Sequence, residues 1–294
     1  MKKLTAIILF CALFQIMAGA ENSQTDTLQL GRPQSVSPND LLVGRISGAL
    51  VTTPKEQGYA FSGGKTDIRG INTIHGSNQP LYIIDGVEVC SDFSRSENPF
   101  WNYPGFVPTI NNNPLFYLNS YDIKEIKVLK DVSATALYGS KGANGVIIIN
   151  TTDKNTANDC LHIRSNFGPA FNHHINMNGS RGQAVYNLSL GYSGIKNHLG
   201  ADREDQGHLK FNYRSHSGKL LWYGVNILGS FGKISNPNAK FNDTDDDAVR
   251  YSALASAYLD FHFTDWLTWT TTVGLDLRNQ TRYFWYGGGN ETGS

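Results

Sequence analysis

The sequence predicts a small α+β unit near the amino end, followed by antiparallel β-strands of a membrane-spanning barrel that is incomplete. Three observations predict it. Between Lys65 and Thr152, short apolar phrases alternate with tight-turn and capping residues. From Cys160 onward, successive segments alternate apolar with polar side chains, and runs of roughly ten residues with this period suit a strand with lipid on one face and water on the other. The charges balance, at 25 basic and 25 acidic residues in 294, so the basic excess of a nucleic-acid binder is missing.

The first twenty residues carry Lys2 and Lys3, an apolar core from Ala6 to Met17, and Ala18-Gly19-Ala20 before Glu21. That is the make-up of a cleaved signal peptide, with Ala18 and Ala20 as the small residues of the cleavage site. Cys11 does not make a lipoprotein site, because Phe10 stands where that processing needs a small residue. Residues 21–39 are polar, with Pro33 and Pro38, and read as a flexible periplasmic segment. Within it, Thr25 to Leu30 is an extended stretch suited to adding a strand to a partner's sheet edge. From Asp40 to Ile46 the spacing of Leu42, Arg45 and Ile46 predicts a short helix capped by Asn39 or Asp40.

The α+β unit occupies residues 40–153. Leu81 to Ile84, Asp85-Gly86 and Val87 to Val89 form a hairpin with a tight turn. A proline- and asparagine-rich insertion from Ser91 to Asn113 carries Trp101, Tyr103 and Phe106. These rings suit either an aromatic platform for stacking a sugar or the ordinary packing of a long loop. Ile126 to Leu129 is a short strand, and Asp131 caps a two-turn helix through Ser133, Ala134 and Leu137. Gly139 ends that helix in a left-handed conformation, and Val146 to Ile149 fits a strand buried on both faces.

A boundary falls between Asp153 and Asp159, and residues 154–294 read as the first part of a barrel. The even positions from Ala184 to Tyr192 are apolar or aromatic, and Leu209, Phe211 and Tyr213 repeat the pattern. So do Leu221 to Ile227, Ala253 to Phe263 and Trp269 to Leu277, each on odd positions. A soluble sandwich alternates in the same way. The barrel is favoured because Tyr192, Tyr213, Trp266 and Trp285 sit near segment ends, as interfacial girdles require, and the opposite faces are wet. Six or seven strands fit between Cys160 and Tyr286, against about 22 in a plugged transporter barrel. An open sheet leaves edges that hydrocarbon does not tolerate. With the loop-like Gly287 to Ser294 at the end, the chain reads as the front of a longer protein or a shortened product.

Several chemical motifs fall short. Gly63-Gly64-Lys65-Thr66 lacks the earlier glycine of a phosphate loop, since Tyr59 stands there. Asp243, Asp245, Asp246 and Asp247 lack the glycine of a calcium loop, where Ala248 stands, and read as a solvated loop. His173 and His174 are adjacent on a strand and point to opposite faces, so they do not share a metal. Cys90 and Cys160 are the only thiols beyond the leader and read as two unpaired, buried cysteines, with a disulfide the alternative. No catalytic signature is present, and neither enzyme activity nor a cofactor or metal is expected.

Four phrases, in order, carry a resemblance: Thr66-Asp67-Ile68-Arg69-Gly70, Gln79-Pro80-Leu81-Tyr82-Ile83-Ile84-Asp85-Gly86-Val87, Asp122 through Asp131, and Gly139 through Ile149. Together they resemble the plug domain of SusC/RagA-type TonB-dependent outer-membrane transporters. The resemblance implies an α+β plug domain followed by antiparallel transmembrane β-barrel strands, in the outer membrane of a Gram-negative, Bacteroidetes-like cell. It makes Asp67, Arg69, Gly70, Pro80, Asp85 and Gly86 plug residues, the Arg69 guanidinium pairing with carboxylates of plug or wall. Lys130, Asp131, Tyr138, Gly139, Gly142, Asn144 and Gly145 would shape a helix and the strand after it. Folding alone accounts for the same residues, glycines supplying left-handed angles and charges supplying caps. The implied function is import of an oligosaccharide or peptide, energised by TonB-ExbB-ExbD and assisted by a SusD-like surface lipoprotein. A surface binding or adhesion protein, or an inactive truncated remnant, stands as the alternative. Only residues 21–39 are available for contacting TonB, fewer than such transporters often carry.

Overall fold

Alternating and continuous apolar runs sort this chain into three sheets. The computed structural model describes residues 25–29, 38–44, 46, 48–52, 65–68, 70, 78–89, 114–130, 138–151, 159–168, 170–196, 203–236 and 244–286. In the first half, β1 (Thr25–Gln29), β2 (Ala49–Thr52), β3 (Lys65–Ile68), β4 (Leu81–Ile84), β5 (Val87–Val89), β6 (Ile123–Leu129) and β7 (Val146–Thr151) build two sheets. One has the order β1-β6-β7-β4-β5, and β2 pairs with β3 separately. Strand β7 lies antiparallel to β6 and parallel to β4. It sits inside the sheet, so Val146, Ile147 and Ile149 are fully buried, as a run apolar on both faces demands.

The β4–β5 hairpin turns at Asp85 (φ 47°) and Gly86 (φ 82°), two consecutive left-handed residues that match the twist of the flanking strands. The Asp85 carboxylate then accepts from the Thr151 backbone N–H and from Thr151 Oγ1, each at 2.8 Å, and closes the end of β7.

The second half is one antiparallel meander of seven strands: β8 (Cys160–Asn166), β9 (Ala170–Arg181), β10 (Ala184–Lys196), β11 (Arg203–Ser217), β12 (Leu221–Asn236), β13 (Thr244–Thr264) and β14 (Leu267–Tyr286). Its outward face exposes Ile175, Leu190, Leu209, Val225 and Leu275, while Asn187, Ser189, Lys210 and Ser256 turn inward and are buried. Two aromatic bands frame the outward apolar face. Phe231 packs on Tyr251 at one level, and Phe261 packs on Phe263 and Trp269 at the other. Tyr251 and Phe261 are ten residues apart on β13. At about 3.3 Å per residue and a tilt of roughly 40°, that spans about 25 Å of height, the apolar band of an outer-membrane barrel. No helix among the described residues is long and apolar enough to cross a membrane, which says nothing of strands.

Several expectations need correction. The helix expected from Asp40 to Ile46 is a single 3₁₀ turn, Pro38–Leu41, followed by turns. Gly44 is a poor helix former, and burial of Leu41, Leu42 and Ile46 fixes this segment without helical bonding. The extended stretch at Thr25 does add to a sheet edge, but the edge is the chain's own: β1 pairs with β6 from Thr25↔Leu129 to Gln29↔Glu125. Strand β6 starts at Ile123 rather than Ile126. Asp245, Asp246 and Asp247 belong to β13, not to a loop, because pairing with β14 continues to Thr244↔Tyr286. Cys160 is a free thiol and only half-buried, accepting from Asn178 Nδ2 at 3.6 Å. Ala18, Ala20, Arg69, Cys90, Trp101, Tyr103, Phe106 and the helix from Asp131 to Leu137 lie outside the described residues.

Candidate functional site: the seat of the small unit on the wall

Nine consecutive residues, Pro114-Leu-Phe-Tyr-Leu-Asn-Ser-Tyr-Asp122, form two short 3₁₀ turns ahead of β6 and touch all seven strands of the wall. Asn119 caps the second turn by accepting from Tyr121 N–H at 3.0 Å. Phe116, Tyr117, Asn119, Tyr121 and Asp122 each reach the wall, so this short strap spans a wide arc of it.

Tyr121 lies 5.4 Å from the Arg164 guanidinium of β8. Asn119 Nδ2 donates to Asn172 Oδ1 of β9 at 3.2 Å. The same amide lies over Gly191 of β10, where a Cβ would stand 2.5 Å from Asn119 Nδ2. Phe116 covers Gly232 of β12, where a Cβ would come within 2.6 Å of the ring, and carries the Arg250 guanidinium of β13 at 4.6 Å from its centroid. The Tyr117 hydroxyl donates to Asp276 Oδ1 of β14 and accepts from Arg278 Nε at 2.5 Å. Asp276 and Arg278 also pair directly at 2.6 Å. Burial and the Asp276 hydrogen bond push the Tyr117 phenol up, and Arg278 opposes them.

Asp122 ends the strap. Its Oδ1 lies 3.0 Å from His174 Nε2 of β9, both side chains are buried, and Lys210 of β11 adds a favourable charge. Burial alone would push the Asp122 carboxyl up. The His174 hydrogen bond, Lys210 and Ser189 together outweigh burial and hold it below the ordinary carboxylate range. Ser189 Oγ sits 2.7 Å from the same His174 Nε2. Serine, histidine and aspartate thus meet, but not as a relay, which needs the carboxylate on one ring nitrogen and the serine on the other. Here both contacts converge on Nε2, and Nδ1 has no partner among the described residues. The cluster holds two parts of the molecule together and has no geometry for acyl transfer. No group of three or more His, Cys, Asp and Glu side chains forms a metal site among the described residues.

The residues singled out in the sequence lie elsewhere, inside the small unit. Asp67 is buried on β3, Gly70 follows that strand at φ 86°, and Pro80 is buried ahead of β4. Tyr138 packs on the buried cluster of Leu81, Ile83, Leu129 and Val146. Lys130 is half-buried after β6, while Gly139 and Gly142 bound a 3₁₀ turn. Asn144 Nδ2 donates to Gln79 O at 3.5 Å. Gly145 takes φ 92°, and a Cβ there would meet Ile68 Cδ1 at 2.8 Å, so only glycine lets β3 approach this turn. The structure therefore gathers these residues around the internal sheet, while the strap reaches the wall through Phe116, Tyr117, Asn119, Tyr121 and Asp122. Sequence reading passed over that strap, although five aromatic, amide or acid side chains in seven residues after a long insertion were a visible signal.

Residues 18–146 match the TonB-dependent Receptor Plug Domain. The chain is 30% identical over 191 residues to the TonB-dependent receptor SusC of Bacteroides thetaiotaomicron, covering 62% of this chain and 17% of that protein. It is 39% identical over 110 residues to a TonB-dependent receptor of Formosa agariphila, covering 37% of this chain and 9% of the other. The chain thus spans less than a fifth of the length of these relatives. In fold it is similar to the RagAB peptide importer in its closed-closed state, with a TM-score of 0.70 at 15% identity, over 94% of this chain and 43% of that one. A TM-score of 0.63 relates it to the ferric enterobactin receptor of Pseudomonas aeruginosa at 14% identity, over 88% and 42% of the two chains. Over its matched residues the small unit is a TonB-dependent receptor plug, the meander is an open arc of barrel wall, and the chain is similar to the SusC/RagA-type TonB-dependent transporters.

Proposed function

We propose that this chain supplies the plug and part of the wall of an energised importer for oligosaccharides or peptides, working with a SusD-like surface lipoprotein and the TonB-ExbB-ExbD complex. The observation that carries this reading is the strap. A plug meant to stay would be fused to its wall by apolar packing, whereas this one is held also by hydrogen bonds, ring–cation contacts and one buried acid–base cluster, with Leu228, Leu254, Phe116 over Gly232 and Val87 over Gly274 as the apolar share. Such contacts exchange readily with water once opened. Strand β1 supports the same reading. It is an edge strand held to β6 by backbone pairing, and an edge strand of this kind suits capture by another sheet. A host strain lacking TonB tests the proposal. Uptake by the transporter carrying this chain is expected to fall to background there, and undiminished uptake would count against energised import.

A further inference from the structure

The inward face of the wall carries one row of uncharged amides. Through the strand register, Asn178 of β9 stands beside Asn187 of β10, which faces Asn212 of β11, which faces Asn226 of β12, which faces Ser256 of β13. Five neighbouring strands thus place an amide or hydroxyl at one level. The row toward the longer strand connections holds Ser189, Lys210 and Asp276, all engaged with the strap or its partners. The amide row therefore runs just beneath the strap, toward the short turns of the wall.

A cavity of about 350 Å³ opens there between wall and plug, within the roughly 300–1,000 Å³ of small-ligand sites. Asn187, Asn212 and Asn226 line it with Thr270 and Thr272, and the plug contributes Asp85, Lys124, Asn150 and Thr151 across the gap. Its charged residues balance, Asp85 and Asp260 against Lys124 and Arg214. Asp85 is committed to Thr151, and Arg214 Nε donates to Tyr258 OH at 2.9 Å. What the cavity offers a ligand is neutral hydrogen bonding. Asn187 donates to Asn178 and Asn226 to Ser256, yet the side-chain oxygens of Asn187 and Asn212 are buried with no partner among the described residues. Buried orphan acceptors are costly and call for a donor that arrives from outside.

We propose that this cavity is a transit subsite for a neutral, hydroxyl-rich ligand, met as it passes beneath the strap. Hydroxyl groups donate and accept at once, which suits amides whose oxygens lack donors. The four charged residues cancel, so the site favours no ligand of one charge sign, and its apolar lining is confined to Val185 and the rings of Tyr186, Tyr213 and Tyr258. The subsite rests on the import reading for its place on a path, but its affinity is independent of energy supply.

The test is saturation-transfer NMR on the full transporter in detergent micelles, with isomaltohexaose as the probe and a hexapeptide as the comparison. Transfer to the sugar is expected, with a reduction of about tenfold in the double variant Asn212→Leu and Asn226→Leu, which keeps volume and removes the amides. Thr272→Trp, which fills the cavity from another strand and leaves the row intact, is expected to reduce transfer equally. Circular dichroism confirms that each variant keeps its strands. Unchanged transfer in folded variants, or stronger transfer to the hexapeptide, would mean that the amides serve only one another and would overturn the subsite. Undiminished uptake in a host lacking TonB, with sugar binding intact, would instead overturn the import reading alone.

Discussion

Asp122 concentrates the energetics of the seat in one carboxylate. Its folded pKa is depressed, so its contribution is present above the ordinary carboxylate value near 4 and is lost as the pH falls through the folded value. Hydrogen exchange across residues 114–122 is therefore expected to stay slow and flat from neutral pH down to about 5, and to accelerate in acid once the intrinsic rate change is removed. Asp122→Asn should abolish that pH dependence and weaken the seat by about 3–5 kcal/mol, because the charge beside Lys210 disappears while the site stays buried. Removing only the hydroxyl at Tyr117→Phe should cost less, about 1–2 kcal/mol, since Asp276 and Arg278 keep their own pair. Both are read as exchange rates in the same segment. At this scale the sequence was readable where backbone geometry dictates the residue. Asp85-Gly86 signalled its turn because few pairs accept two left-handed angles. Asp122 and His174 were opaque, because a strap and a strand 52 residues apart meet only through tertiary structure.

Among elements, the wall strands were the most legible part. A strand between lipid and water must alternate, and Leu190, Leu209, Val225, Ile227, Leu259 and Leu275 face outward as their period required, while Leu228 and Leu254 turn inward onto the plug. The register was not legible, because alternation says which face a residue takes and not which residue stands beside it. The amide row appears only when Asn187, Asn212 and Asn226 are aligned across strands. Strand β1 shows a second limit. Its extended character was readable, but a backbone edge takes any strand of the right length, so the partner was not. Gly274 gives an expectation at this scale. A Cβ there would come within 2.6 Å of Val87 Cγ1, so Gly274→Leu should push the β4–β5 hairpin off β14. The cost should be roughly 1–3 kcal/mol, the usual penalty for overpacking, and should appear as faster proteolysis of the plug with an intact wall.

For the molecule as a whole, a sheet-built plug rests on an arc of wall whose outside is apolar and whose inside is wet. The strap joins the two, lying between a long aromatic-bearing insertion and β6, and β6 in turn carries β1 on its edge. Whatever draws on β1 loads β6, and β6 continues directly into Asp122. The strap is thus placed to release the plug when the amino end is pulled. A tether measures this most directly. Asn119 and Asn172 already touch, so Asn119→Cys with Asn172→Cys, oxidised in the full transporter in cells, would lock strap to wall. The account expects uptake to fall by about tenfold or more on oxidation and to recover on reduction, with each single variant near wild type. Full uptake through a transporter whose tether is verified as closed would contradict it.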